Sequence, residues 1–242
     1  MRTISFAFMF IAALAGCSGK NMDDVTTSLP QAKLDTIYKG NGQKVSYLAL
    51  GDSYTIGEAV PQELSFPHQL STALNQNNYK AEAPVIIART GLTTDELMRE
   101  ISTRAIDRKF DIVTLLIGVN NQYRGYNIDT YRTEFVQLLN TALKYANNDK
   151  QRVFVVSIPD WGVTPFASGR DRQQIATEID RYNAIAREET QKAGVSFIDI
   201  TPASRAALND ASLIASDGLH PSGKMYANWV QQLIAPVAKS LK

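Results

Sequence analysis

The chain has 242 residues, 44% of them hydrophobic and 20% charged, with 25 basic and 24 acidic side chains. That length suits one sizeable domain, because a single core keeps growing up to roughly 250 residues. The near-neutral balance and the ordinary Gly, Pro and Cys content exclude a collagen-like chain, wholesale disorder, a disulfide scaffold and a basic field for nucleic acid.

In chain order, Arg2 precedes an apolar run from Ile4 to Leu14, interrupted only by Ser5. The run falls short of the roughly 20 residues of a membrane span and suits a secretory signal peptide. It ends in Leu14-Ala15-Gly16-Cys17, which resembles the lipobox of bacterial lipoproteins, where cleavage precedes the cysteine and the thiol is acylated. Cys17 is the only cysteine, so it has no disulfide partner in the chain, and a free surface thiol is unusual in an exported protein. The other reading is an ordinary signal peptide with an incidental cysteine. On the lipobox reading, residues 1–16 are removed and Arg2 is lost with them, leaving 24 basic and 24 acidic side chains. Residues 17–40 are then a lipidated N-terminus and a polar tether too poor in apolar side chains to order itself. Residues 41–242 form the domain. Ser18, in place of an aspartate after the cysteine, favours delivery to the bacterial outer membrane, facing either side.

Beyond the tether, strand candidates are Val45–Leu50, Pro84–Ala88, Ile112–Ile117, Val153–Ile158 and Val195–Ile200. Their nearly continuous apolar and β-branched content fits strands of a parallel sheet buried on both faces. Helical spacing recurs in Tyr131, Phe135, Leu138, Leu139 and Ala142, in Ile175, Ile179, Tyr182 and Ala186, and in Met225, Trp229, Val230, Leu233, Ile234 and Val237. Thr93 with Glu96 reads as a capping box, and Asp129, Asp171 and Ser222 stand at N-cap positions. Five strands alternating with helices predict a three-layer α/β/α domain with a five-stranded parallel sheet.

Sites in open parallel sheets form just past the carboxyl ends of the strands. After the first strand comes Gly51-Asp52-Ser53-Tyr54. Here Ser53 either caps the next helix or projects its hydroxyl into a cleft near that helix's N-terminus. After the second strand, Gly91 is either a turn glycine or a position whose N–H can approach a ligand closely. After the third, Asn120 is either a turn residue or an amide donor for a developing oxyanion. The loop after the last strand leads to Asp217-Gly218-Leu219-His220-Pro221. A carboxylate three residues before an imidazole can curl back onto Nδ1–H, leaving Nε2 to take a proton from a serine; otherwise His220 is a surface histidine in a polar turn. The only other histidine, His68, falls at the start of a predicted helix and reads as structural or exposed.

Three other chemistries fit poorly. Gly218 to Lys224 spells G-x-x-x-x-G-K, but Met225 stands where a P-loop needs Ser or Thr, and no strand leads into it. There is no G-x-S-x-G elbow. Two separated histidines and one cysteine offer no usual metal-ligand set, so neither metal nor cofactor is expected.

These blocks, in this order from Gly51 to Pro221, resemble the SGNH (GDSL) hydrolase family. Gly51-Asp52-Ser53 is similar to its nucleophile block, Gly91 to its glycine block, Asn120 to its asparagine block, and Asp217 with His220 to its final D-x-x-H block. The resemblance implies a flavodoxin-like α/β/α fold and ester hydrolysis through an acyl-enzyme. It makes Ser53 the nucleophile, His220 the proton relay and Asp217 the group that orients the imidazole. It assigns the oxyanion hole to the N–H of Ser53, the N–H of Gly91 and the Asn120 amide. The family's third block usually reads G-x-N-D; here Asn121 replaces the aspartate, which implies altered loop support with activity kept.

For the substrate, Tyr54, Tyr123, Tyr126 and Pro159-Asp160-Trp161-Gly162 are pocket candidates; such aromatics either stack on a sugar or flank an acyl chain, or simply pack the loops. No long apolar lid is visible, which disfavours triglyceride lipase action. The family spans esterases, lysophospholipases, thioesterases and carbohydrate O-acetylesterases, so a small-molecule, glycan or lipid ester is the expected partner. Rival readings are acyl transfer to an acceptor other than water, and a non-catalytic lipoprotein that binds glycan or lipid on a hydrolase scaffold.

Overall fold

In a computed structural model of the chain, residues 39–242 are described. The signal peptide, Cys17 and nearly all of the tether lie outside the described residues. Strands are β1 (Lys44–Val45), β2 (Tyr47–Gly51), β3 (Lys80–Ala81), β4 (Val85–Ala88), β5 (Ile112–Leu116), β6 (Val153–Val156) and β7 (Ser196–Ile198). Helices are α1 (Ser53–Ile56), α2 (Phe66–Gln76), α3 (Thr94–Arg104), α4 (Val119–Tyr123), α5 (Ile128–Tyr145), α6 (Arg172–Ala193), α7 (Thr201–Arg205) and α8 (Gly223–Ser240).

The main sheet has the order β4-β2-β5-β6-β7 and every pairing is parallel. Every residue of β2, β5 and β6 is buried, as their unbroken apolar runs require. The connection from β2 to β4 runs one way across the sheet, while those from β4 onward run the other. Right-handed crossovers therefore put α2 on one face and α3, α5 and α6 on the opposite face. The contacts agree: α8 packs on α2, and α5 packs on both α3 and α6. This is the three-layer α/β/α architecture expected from the alternation of strands and helices.

The strands differ from expectation mainly at their ends, and serines set three of those ends. Val45 belongs to β1, which pairs separately with β3. The switch occurs at Ser46, whose N–H and hydroxyl both bond Asp111 Oδ2, at 2.9 and 2.8 Å. Beyond β6 and β7, Ser157 Oγ accepts the N–H groups of Ile200 and Thr201 at 2.9 and 3.1 Å. That pulls both chains out of the ladder before Ile158 and Ile200.

Asp171 and Ser222 cap α6 and α8, and Thr93 with Glu96 forms the capping box of α3. Asp129 does not cap α5. Asn127 does, accepting the N–H groups of Asp129 and Thr130, and Asp129 lies in the first turn. There its charge still faces the favourable end of the helix.

Candidate active site

Gly51 ends β2 where no side chain fits: a Cβ there would lie 2.1 Å from Thr55 Oγ1 and 2.5 Å from the Leu116 carbonyl oxygen. That close approach lets the chain turn at once into α1. Asp52 caps α1, accepting the Tyr54 N–H at 3.0 Å, so the capping role falls to the aspartate and leaves the Ser53 hydroxyl free. The helix expected here is only one turn long. Its dipole is correspondingly small, and any help to negative charge comes from individual N–H groups.

The loop before α8 carries Asp217 and His220. Asp217 Oδ1 accepts the N–H groups of Leu219 and His220, both at 3.0 Å, and Oδ2 bonds His220 Nδ1 at 2.5 Å. The other ring nitrogen, Nε2, lies 2.9 Å from Ser53 Oγ. The imidazole is buried and the Tyr54 ring lies against it, with centroids 5.1 Å apart. Burial pushes the Asp217 carboxyl up, but bonds from the imidazole and the two N–H groups outweigh it and hold the carboxyl below its ordinary range. Deep burial pushes Asp52 up to about 7, against the stabilising N–H of Tyr54.

Gly91 arrives from the loop after β4, and Asn120 from the short helix α4 after β5. Gly91 has φ +82, a left-handed conformation that favours glycine. Its carbonyl accepts Arg124 Nη2 at 2.6 Å, which holds the Gly91–Leu92 peptide that follows it. Asn120 Nδ2 donates to the Leu92 carbonyl at 3.1 Å and stands 3.5 Å from Asp52 Oδ2. The second contact is too long to hold the remaining amide hydrogen firmly.

Ser53, Gly91, Asn120 and His220 line one pocket of about 150 Å³, with Asp217 behind the histidine. Tyr54, Tyr123 and Trp161 form walls. Tyr126 does not line it, and its carbonyl instead accepts the Tyr182 hydroxyl. Asp160 is buried, ion-paired with Arg205 at 2.9 Å and bonded to the Gly162 N–H, so these two neighbours of Trp161 support the loop. His68 bonds Ser65 and Gln62 and stays out of the pocket. A serine hydroxyl bonded to a buried, carboxylate-oriented imidazole, beside an amide hydrogen held only by a long contact to Asp52, is an arrangement suited to acyl transfer.

The profile of the GDSL-like Lipase/Acylhydrolase family matches residues 49–227, a span holding all of these groups. The chain belongs to that family. It is an ester hydrolase by that membership. No curated protein matches the sequence. Among solved structures, a lipase/acylhydrolase from Enterococcus faecalis is 20% identical, with a TM-score of 0.62 over 83% of this chain and 97% of that one. The acetylxylan esterase Axe2 from Geobacillus stearothermophilus is 16% identical, with a TM-score of 0.60 over 83% and 95%. The esterase EstA from Pseudoalteromonas sp. is 12% identical, with a TM-score of 0.62 over 82% and 98%. At these identities the likeness is one of fold.

Within this GDSL hydrolase, Asn121 is fully buried and ties the loop after β5 to the start of α3. Its Oδ1 accepts the Thr94 N–H at 3.1 Å, and its Nδ2 donates to Thr94 Oγ1 at 2.7 Å. The Thr94 hydroxyl is then free to donate to Glu134. Pocket residues not singled out in the sequence are Thr90, Val119, Phe166 and Leu219. Thr90, Val119 and Leu219 each adjoin a motif residue, so reading one position outward would have found them. Phe166 carried no such signal.

Proposed function

We propose that the chain is a serine esterase working through an acyl-enzyme on Ser53, with a preference for short acyl groups. The carrying observation is the run of hydrogen bonds from Asp217 through His220 to Ser53 Oγ at the floor of the pocket.

In this reading His220 Nε2 takes the hydroxyl proton as Ser53 Oγ attacks the ester carbonyl. The carbonyl electron pair moves onto oxygen, which is met by the N–H groups of Ser53 and Gly91 and by Asn120 Nδ2. Asp217 Oδ2 accepts Nδ1–H and offsets the charge of the imidazolium. Collapse expels the alcohol, which receives its proton from Nε2. Water then repeats the sequence and releases the acid.

Size supports the short acyl preference, since a cavity of roughly 150 Å³ holds a benzene-sized group and the pocket has about that volume. The acetylxylan esterase among the structural neighbours accords with small acyl groups. Attachment to the bacterial outer membrane through acylated Cys17 belongs to the same proposal; the anchor rests on the Leu14-to-Cys17 motif and the choice of membrane on Ser18.

The test is hydrolysis of p-nitrophenyl acetate, butyrate and octanoate by wild type and Ser53→Ala. Turnover that peaks at acetate or butyrate and vanishes in the variant is expected. Equal rates in both proteins, or a rate still rising at octanoate, would overturn the mechanism or the size preference respectively. Metabolic labelling with a radioactive fatty acid, lost in Cys17→Ala, tests the anchor.

A further inference from the structure

Arg170 stands in the loop before α6, just outside the pocket lining, and its guanidinium lies beside the three rings that form the pocket's aromatic rim. Its Cζ lies 5.2 Å from the ring centroid of Tyr123, 5.3 Å from that of Trp161 and 5.7 Å from that of Phe166. Nη2 donates to the Tyr123 hydroxyl at 3.2 Å. The three rings also touch one another, with centroids 5.4 to 6.1 Å apart, and all three line the pocket that holds Ser53.

The charge on this side chain is not otherwise used. Among the described residues Arg170 makes no ion pair, and the adjacent carboxylate of Asp171 is committed to the Gln174 N–H at the start of α6. Arg124 is paired with Glu96, and Arg205 with Asp160 and Asp180, while Arg172 bonds the Thr164 carbonyl and stacks on no ring among the described residues. A guanidinium stacked on rings has already given up much of its conformational freedom. Its remaining N–H edge matches the planar, two-point geometry of a carboxylate or phosphate. Packing alone would not need a cation there, and a solvating surface charge would not need three rings.

We propose that Arg170 recognises an oxyanion, a carboxylate or a phosphate, carried by the ester substrate beyond the scissile bond. The preferred substrate is then an anionic ester rather than a neutral one, a specificity that rests on the Ser53 esterase reading.

Two matched pairs test this on the full chain in detergent. One is p-nitrophenyl hydrogen succinate against its methyl ester, with the charge on the acyl side. The other is 1-butyrylglycerol 3-phosphate against 1-butyrylglycerol, with the charge on the alcohol side. In at least one pair the anionic member is expected to show kcat/KM roughly 10- to 100-fold higher, the range for a charge-assisted hydrogen bond. Arg170→Gln is expected to abolish that advantage through KM while changing turnover of p-nitrophenyl butyrate far less than that of the anionic esters, and Arg170→Lys to keep part of it. Equal or inverted preference in both pairs, with butyrate turnover intact, overturns this proposal alone. So does an Arg170→Gln variant that loses neutral and anionic esters alike, which would assign the arginine to packing. Failure of wild type to hydrolyse butyrate overturns the esterase reading and this proposal with it.

Discussion

Asp217 holds His220 at two points: Oδ2 bonds the imidazole Nδ1 at 2.5 Å, and Oδ1 accepts the backbone N–H of the same residue at 3.0 Å. One carboxylate thus fixes both the ring and the loop that carries it, and this explains why only two residues separate the pair. Asp217→Asn can keep the bonds to the backbone but then turns its NH₂ toward Nδ1. The neutral imidazole would carry its proton on Nε2, the nitrogen that in the proposed mechanism accepts from Ser53. A fall in kcat of about 10⁴-fold is expected, with the fold retained by circular dichroism.

On the proposed mechanism Asn120→Ala removes an oxyanion donor, along with the bond to the Leu92 carbonyl. We expect kcat on p-nitrophenyl butyrate to fall about 10²- to 10³-fold, or about 2.7–4 kcal/mol, with Tm nearly unchanged. A large drop in Tm would mean that the bond to the Leu92 carbonyl is its main contribution.

Asp52 gives a pH dependence of stability. Its folded pKa is about 7 against an ordinary 3.8, so folding takes up a proton between those values. The stability this confers is fully present below pH 3.8 and is lost as pH rises through about 7. Asp52→Asn retains an equally good cap for the Tyr54 N–H and removes the titration. Urea midpoints of the variant relative to wild type should therefore improve steadily from pH 4.5 to 8. A difference that stays constant across that range would refute the assignment.

Asn121→Asp restores the residue usual in the family and is expected to destabilise this protein. A carboxylate in that fully buried position would compete with Glu134 for the Thr94 hydroxyl and would bring a charge with no cation paired to it. Loss of about 1–3 kcal/mol in chemical denaturation, with kcat within a few-fold of wild type, is the expected outcome.

Much of this was legible in the sequence because the sheet is buried on both faces. Continuous runs such as Ile112–Leu116 announce themselves without any knowledge of their partners. The strand ends were not legible, since Ser46 leaves the ladder for Asp111, a residue 65 positions away. Asp129 and Asn127 are both good capping residues two positions apart, and only the backbone path chooses between them. At the site, Ser53, Gly91 and Asn120 could be read because each comes shortly after a strand, and Asp217 with His220 because of their close spacing. Phe166 and Arg170 sit in an irregular loop with no periodicity, and they acquire meaning only once folding sets them beside Tyr123 and Trp161.

The most direct measurement is peptide mass spectrometry of the full chain after reaction with a fluorophosphonate probe, in wild type and His220→Ala. The account predicts a single phosphonylated residue, Ser53, with labelling strongly slowed when the imidazole is removed. Labelling at another serine, or unchanged labelling of Ser53 without His220, would contradict it.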